Sequence, residues 1–228
     1  MKRLALKFLN LKWVGTLWTM AVLLATSMCV HAQTIATVTT TAASSITPTS
    51  ATSGGTVVSE GESPVRFRGL CWSVNPNPTI AGDYTSDGEG LGTFVSNLTN
   101  LVSNTGYFLR AYAINGVGTA YGNELSFATL PTLTTNVISG ITANSAVGGG
   151  NVDVGGGASV IARGVCWDAN PNPTLSDPHS ADGTGTGSFS SNLTGLDENT
   201  VYYVRAYATN ISGTSYGNQQ TFSTLTQF

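Results

Sequence analysis

The stretch LTNLVSNTGYFLRAYA, residues 98–113, decides how this chain folds. From Tyr107 on it alternates: Tyr107, Leu109, Ala111 and Ala113 fall on one side of an extended chain, and Phe108, Arg110 and Tyr112 on the other. That period of two is the pattern of a strand with one face against a core. The Asn104 and Gly106 just before it are turn residues. A second stretch, LTGLDENTVYYVRAYA at residues 193–208, writes the same pattern again with Tyr202, Val204, Ala206 and Ala208 inward.

The offset between the two stretches, 95 residues, holds well beyond them. It carries Cys71-Trp72 onto Cys166-Trp167 and NPNPT at 75–79 onto 170–174. It also carries Asp87-Gly88 onto Asp182-Gly183, Asn97-Leu98-Thr99 onto Asn192-Leu193-Thr194, and Tyr121-Gly122-Asn123 onto Tyr216-Gly217-Asn218. Residues 46–130 overlay residues 141–225 without a gap, identical at roughly half of the positions. The chain is therefore one unit written twice, and each copy is long enough to bury a core of its own. The expected organisation is a leader over residues 1–32, a first domain over 33–130 and a second over 131–228. The boundary falls at Leu130-Pro131-Thr132, where proline interrupts the last strand, and so short a linker limits the range of orientations.

Each copy reads as all-β. Helical periodicity is absent after the leader, and Thr-, Val- and Tyr-rich segments are punctuated by Gly, Asn-Pro and Asp-Gly. In the first copy, strands are expected near Thr37–Ala42, Ser50–Ser59, Val65–Ser73, Gly92–Leu98, Gly106–Asn115 and Ala120–Thr129, with a short extra one around Thr79–Thr85. Six or seven antiparallel strands in such a unit make a β-sandwich.

The stretches at 98–113 and 193–208 resemble the fibronectin type III family at its passage from the fifth strand to the sixth. The resemblance implies two tandem Ig-like, fibronectin type III-like sandwiches, each with a tyrosine corner in which Tyr107 or Tyr202 hydrogen-bonds upstream backbone. Asn115, Gly118 and Gly122 are similar to the family's last hairpin. The first half of each copy departs from it: the second strand is Gly54-Gly55 where the family carries a tryptophan, and the tryptophan sits on the third strand as Trp72. The run Arg-Gly-Leu/Val-Cys-Trp followed by Asn-Pro-Asn-Pro-Thr looks like a variant found in tandem in secreted and surface proteins of Gram-negative bacteria. What the resemblance implies is a spacer, adhesion or binding module without a common catalytic activity.

Lys2, Arg3, Lys7 and Lys12 precede an apolar run from Trp13 to about Met28, and then Val30-His31-Ala32. This is a secretory signal with cleavage expected after Ala32; an uncleaved anchor and a lipidated Cys29 are its alternatives. The mature chain keeps five arginines and no lysine against all twelve Asp and Glu, a net charge of −7. Only 9% of the residues are charged, against about 25% in an ordinary soluble domain. So acidic a chain argues against phosphate-backbone binding, and no nucleic-acid partner or membrane span is expected of the mature protein.

Catalytic machinery is not expected: one mature histidine, no lysine and no acid pair common to both copies supply no general acid–base chemistry. No cofactor or metal site is expected either. Asp83, Asp87 and Glu89 lie near a glycine-rich turn, but Glu89 becomes Thr184 in the second copy, so an Asp-Gly turn is the better reading. Cys71 and Cys166, one per copy, are expected as buried free thiols. Gly69 and Gly164 are expected to mark a bulge that turns Val65, Phe67, Leu70 and Trp72 all inward. Arg110, Tyr112, Arg205 and Tyr207 are expected to point outward and, with Arg68 or Arg163 beside them, to form an Arg–Tyr ladder. That ladder is either a ligand platform or a stacking that stabilises an exposed sheet. The expected function is a secreted or cell-surface spacer, adhesion or protein-interaction module, with an unknown protein or glycan as partner. Glycan binding through Tyr84, Phe108 and Tyr112 is the alternative, and requires those rings to share one concave patch.

Overall fold

The computed structural model describes residues 33–227; the leader and its cleavage point lie outside them. The first copy contains β1 (Thr37–Ser44), β2 (Ala51–Ser59), β3 (Phe67–Ser73), β4 (Asp83–Tyr84), β5 (Gly92–Leu98), β6 (Gly106–Ile114), β7 (Thr119–Tyr121) and β8 (Leu125–Ala128). Strands β1-β2-β5 form one antiparallel sheet, and β4-β3-β6, with both β7 and β8 paired to β6, form the other. The second copy contains β9 (Thr132–Thr135), β10 (Ser145–Val154), β11 (Ala162–Asp168), β12 (Gly187–Thr194), β13 (Val201–Asn210), β14 (Gly213–Tyr216) and β15 (Gln220–Ser223). Its sheets are β9-β10-β12 and β11-β13, with β14 and β15 both on β13. The fold is all-β: two tandem antiparallel β-sandwiches, one per copy.

The alternation at 107–113 places the core. Leu109, Ala111 and Ala113 are fully buried and meet Leu70, Leu98, Val57 and Val65 between the sheets. Val165, Leu193, Val204 and Ala206 do the same in the second copy. Fully burying such an aliphatic side chain is worth about 1.5–3 kcal/mol. Both tyrosine corners are formed. The Val102 backbone N–H donates to Tyr107 Oη at 2.9 Å and the Asp197 N–H to Tyr202 Oη at 3.0 Å, while each ring stacks on Phe127 or Phe222.

Two expectations need correction. The last strand of each copy is split by a one-residue register shift after Gly122 and Gly217, whose N–H groups donate to the Ala111 and Ala206 carbonyls. The two pieces run on in the same direction along β6 or β13, with Tyr121 opposite Tyr112 but Leu125 opposite Leu109. The change of face in the third strand also lies elsewhere. Gly69 sits in unbroken register opposite Tyr112, with Leu70 opposite Ala111 and Trp72 opposite Leu109. Arg66 and Phe67 instead share one partner: Arg66 N–H donates to Ile114 O, and Phe67 is paired with Ile114. Two residues against one is a bulge, and it turns Phe67 out to solvent at 55% exposure. Arg68 consequently shares the core-facing side with Leu70 and Trp72. It reaches past the rim, its Nη1 donating to the Gly90, Leu91 and Gly92 carbonyls and its Cζ lying 5.5 Å above the Phe94 ring. Arg163 does the same over Phe189 at 5.3 Å.

Between β8 and β9 the chain is short, and Pro131 is buried. Asn210 Nδ2 donates to Thr129 O at 2.9 Å and to Gly155 O at 3.0 Å. Thr129 Oγ1 donates to Gly156 O at 3.1 Å, the Gly157 N–H to Asn104 Oδ1 at 3.0 Å, and the Ala128 N–H to Ser212 Oγ at 2.9 Å. Backbone and side chains of both copies are thus tied across the connection.

Candidate binding face

The outer face of the β4-β3-β6 sheet carries Phe108, Arg110, Tyr112 and Ile114, as alternation demands. Its Tyr112 is nonetheless only 1% exposed. Residues 74–90 fold back across this face, and Tyr112 Oη donates to Thr85 O at 2.6 Å while Tyr84 packs edge-on at 6.1 Å. Tyr207 repeats this with Ser180 O at 2.6 Å and with His179 at 6.2 Å. Arg110 Nε donates to Gly122 O, and its Cζ lies 4.8 Å over Tyr121; Arg205 pairs with Gly217 O and lies 4.7 Å over Tyr216. The expected ladder of Arg110, Tyr112, Arg205 and Tyr207 is therefore not an open platform. Its tyrosines are roofed and its guanidinium groups are held by carbonyls, while Arg68 and Arg163 lie on the opposite side of the sheet. Period-two patterning tells which side a residue takes, but not what passes over that side.

The thiols sit under the same roof. Cys71 Sγ donates to Pro78 O and Arg110 O, and Cys166 Sγ to Pro173 O and Arg205 O. Both are free and fully buried. Burial pushes each thiol up from 9.0 to about 11, against a smaller downward pull from Arg110 or Arg205. Burial also pushes the Tyr112 phenol up from 10.0 to about 12, helped by the Asp87 carboxylate, and raises Tyr207 in the same way. In each case the folded state holds the proton more tightly than the unfolded chain. The stability this confers is complete below pH 9 and is lost as pH climbs through 11 to 12. Denaturation midpoints measured from pH 8 to 12 are expected to fall across that window, and a Cys71→Ala/Cys166→Ala variant to lose the portion beginning near pH 9.

The acidic loop is tied internally. Asp87 Oδ2 accepts from Thr85 Oγ1 at 2.5 Å and from Ser96 Oγ at 2.6 Å. Asp182 Oδ2 accepts from Ser180 Oγ and Ser191 Oγ. Each carboxylate fastens the loop over the outer face to the neighbouring sheet, and the glycine after it turns at φ +99° or +94°. Among the described residues no three His, Cys, Asp or Glu side chains gather as a metal site would need.

An open cavity of about 290 Å³ remains on this face of the first copy, lined by Phe67, Ile80, Tyr84, Ser86, Tyr112 and Ile114. Phe67 and Tyr84 stand 55% and 54% exposed as its walls. Phe108 is not part of it, and instead lines a groove of about 380 Å³ beside Ala158, Ile211 and Ser212 of the second copy. Tyr84, Phe108 and Tyr112 therefore do not share one patch. Phe67 escaped sequence reasoning because the bulge was placed at Gly69; the lone signal was that the repeat has Ala162 in its place.

No family model and no curated protein matches the sequence. Among solved structures, the chain is similar to a two-fibronectin type III domain segment from chicken tenascin, at 15% identity over 82% of this chain and 99% of that one, with a TM-score of 0.39. It is also similar to the FN1–FN3 domains of chicken CNTN1, at 12% identity over 85% of this chain and 69% of that one, with a TM-score of 0.40. A third likeness is to the sensor domain of the anti-sigma factor RsgI4 in Pseudobacteroides cellulosolvens, at 21% identity over 43% of this chain and 98% of that one, with a TM-score of 0.34.

Proposed function

We propose that the protein is exported through its leader, cleaved after Ala32, and acts at the cell surface as a non-catalytic two-domain spacer that engages another protein. The observation that carries this reading is the connection between the copies. Its four hydrogen bonds between the copies couple the sandwiches through Asn210, Thr129, Gly157 and Ala128, where a string of independent binding domains would need only a free linker. The non-catalytic reading is supported by the fate of the reactive groups: buried thiols, roofed tyrosines and carboxylates engaged with hydroxyls. Adhesion through a protein partner is preferred to glycan binding, because the rings named for a glycan lie in two separate places.

The test is small-angle scattering on exported protein whose N-terminus reads Gln33 by mass spectrometry. One fixed arrangement of the two sandwiches is expected to fit the whole curve. A curve that demands an ensemble of interdomain angles would overturn the spacer reading.

A further inference from the structure

We propose that the cavity walled by Phe67 and Tyr84 is the contact site for that partner, and that it takes an arginine side chain from a basic segment of it. The proposal rests on the protein-interaction reading above and names the chemistry of the contact. Three observations converge on it.

The repeat is an internal control. Residues the fold needs recur in both copies: Gly69 and Gly164, Tyr112 and Tyr207, Cys71 and Cys166, Arg110 and Arg205. The walls of the cavity do not recur. The second copy has Ala162 for Phe67, Leu175 for Ile80, His179 for Tyr84, Ala181 for Ser86 and Thr209 for Ile114, and it folds the same sheet without them. Two half-exposed aromatic rings around an apolar hollow are therefore an addition to the fold.

The second observation is how this chain treats aromatic faces elsewhere. Arg68, Arg110, Arg163 and Arg205 each lie over a ring, at 4.7–5.5 Å. A guanidinium is planar and weakly hydrated and stacks readily on such faces. The hollow offers Phe67 and Tyr84 for the head of such a group, and Ile80 and Ile114 for its aliphatic stem.

The third is charge. The described residues carry five arginines against twelve carboxylates, so an approaching segment is favoured if it is basic. Next to the walls in sequence, the exposed acids Asp83 and Glu89 stand against a single exposed cation, Arg66.

The test is an NMR titration of 15N-labelled protein with the capped tripeptide Ser-Arg-Ser and with its citrulline and norleucine counterparts. The arginine peptide is expected to shift the amides of Phe67, Tyr84 and Ile114 saturably. The citrulline peptide, isosteric but uncharged, is expected to bind about fivefold more weakly. A Phe67→Ser/Tyr84→Ser variant should abolish the shifts and Val137→Ser, at an exposed residue far along the chain, should leave them intact. Equal binding of either uncharged peptide overturns the proposal, as do equal shifts around His179 or no shifts at the solubility limit. An oligosaccharide that perturbs the same amides where the arginine peptide does not assigns the cavity to a glycan instead. The two readings fail separately: missing shifts with a rigid scattering curve remove the site alone, whereas a flexible curve removes the spacer whatever the peptides do.

Discussion

Gly156→Ala is expected to separate the two halves while leaving each sandwich folded. Gly156 adopts φ +81°, and a Cβ there would stand 2.1 Å from Thr129 O and 2.5 Å from Leu130 C. Both neighbours are backbone, so no side chain can swing aside. A left-handed conformation costs a non-glycine residue about 1–2 kcal/mol and overpacking a further ~1–3 kcal/mol, so a loss of about 3 kcal/mol falls on the connection. The bond from Thr129 Oγ1 to Gly156 O cannot survive the displacement, and those made by Asn210 depend on the same loop. Scattering should turn from a single arrangement to an ensemble, with the NMR dispersion of both cores retained. Gly183→Ala separates the two causes: its φ is +94° but a Cβ would meet nothing within 4 Å. That variant should lose roughly 1 kcal/mol without undocking.

Gly69→Ala is expected to be as damaging within the first sandwich. The added Cβ would lie 2.3 Å from Thr85 O and 2.9 Å from Tyr112 Cε1, between the floor and the roof of the outer face. Relief requires residues 74–90 to lift, which breaks the Tyr112–Thr85 bond and uncovers Cys71. We expect a loss of about 3 kcal/mol by chemical denaturation, together with a rise in Cys71 labelling by a thiol reagent under native conditions. Gly164→Ala is the replicate: the equivalent distances are 2.4 Å to Ser180 O and 2.8 Å to Tyr207 Cε1. Equal losses at both positions are expected. A loss at one alone would mean that the roof contributes unequally to the two copies.

The fold was legible because it depends on local alternation and on repetition. Tyr107, Leu109, Ala111 and Ala113 fix which face of one strand is buried, and the second copy repeats the statement with conservative changes. Even the tyrosine corner, a contact over five residues, lies within reach of local reading. The binding face was less legible because its state depends on residues that cross it from elsewhere in the chain. Tyr112 was correctly placed on the outer side, yet Thr85 and Tyr84 cover it after a loop whose path no periodicity encodes. Gly69 illustrates the same limit. A glycine within a strand signals either a bulge or a close approach, and here it is the approach of Thr85 and Tyr112, while the bulge lies at Arg66–Phe67, where neither residue is a turn former. Misplacing that bulge by two residues reversed Phe67 and Arg68, and with them a wall of the open cavity on the face.

The scarcity of free cations also bears on how the protein withstands proteolysis. Enzymes that cut after basic residues need a lysine or arginine in a segment able to extend into their cleft. The described residues contain no lysine. Of the five arginines, Arg68, Arg110, Arg163 and Arg205 lie in paired strands with their heads stacked on rings and bonded to carbonyls. Arg66 alone is exposed, and its N–H is bonded to Ile114 O where the third strand begins. Among the described residues, each scissile bond after a basic residue is thus locked into a sheet or beside one, and cleavage there must wait for unfolding. The packing that leaves so few charges free also leaves trypsin-like enzymes almost nothing to cut.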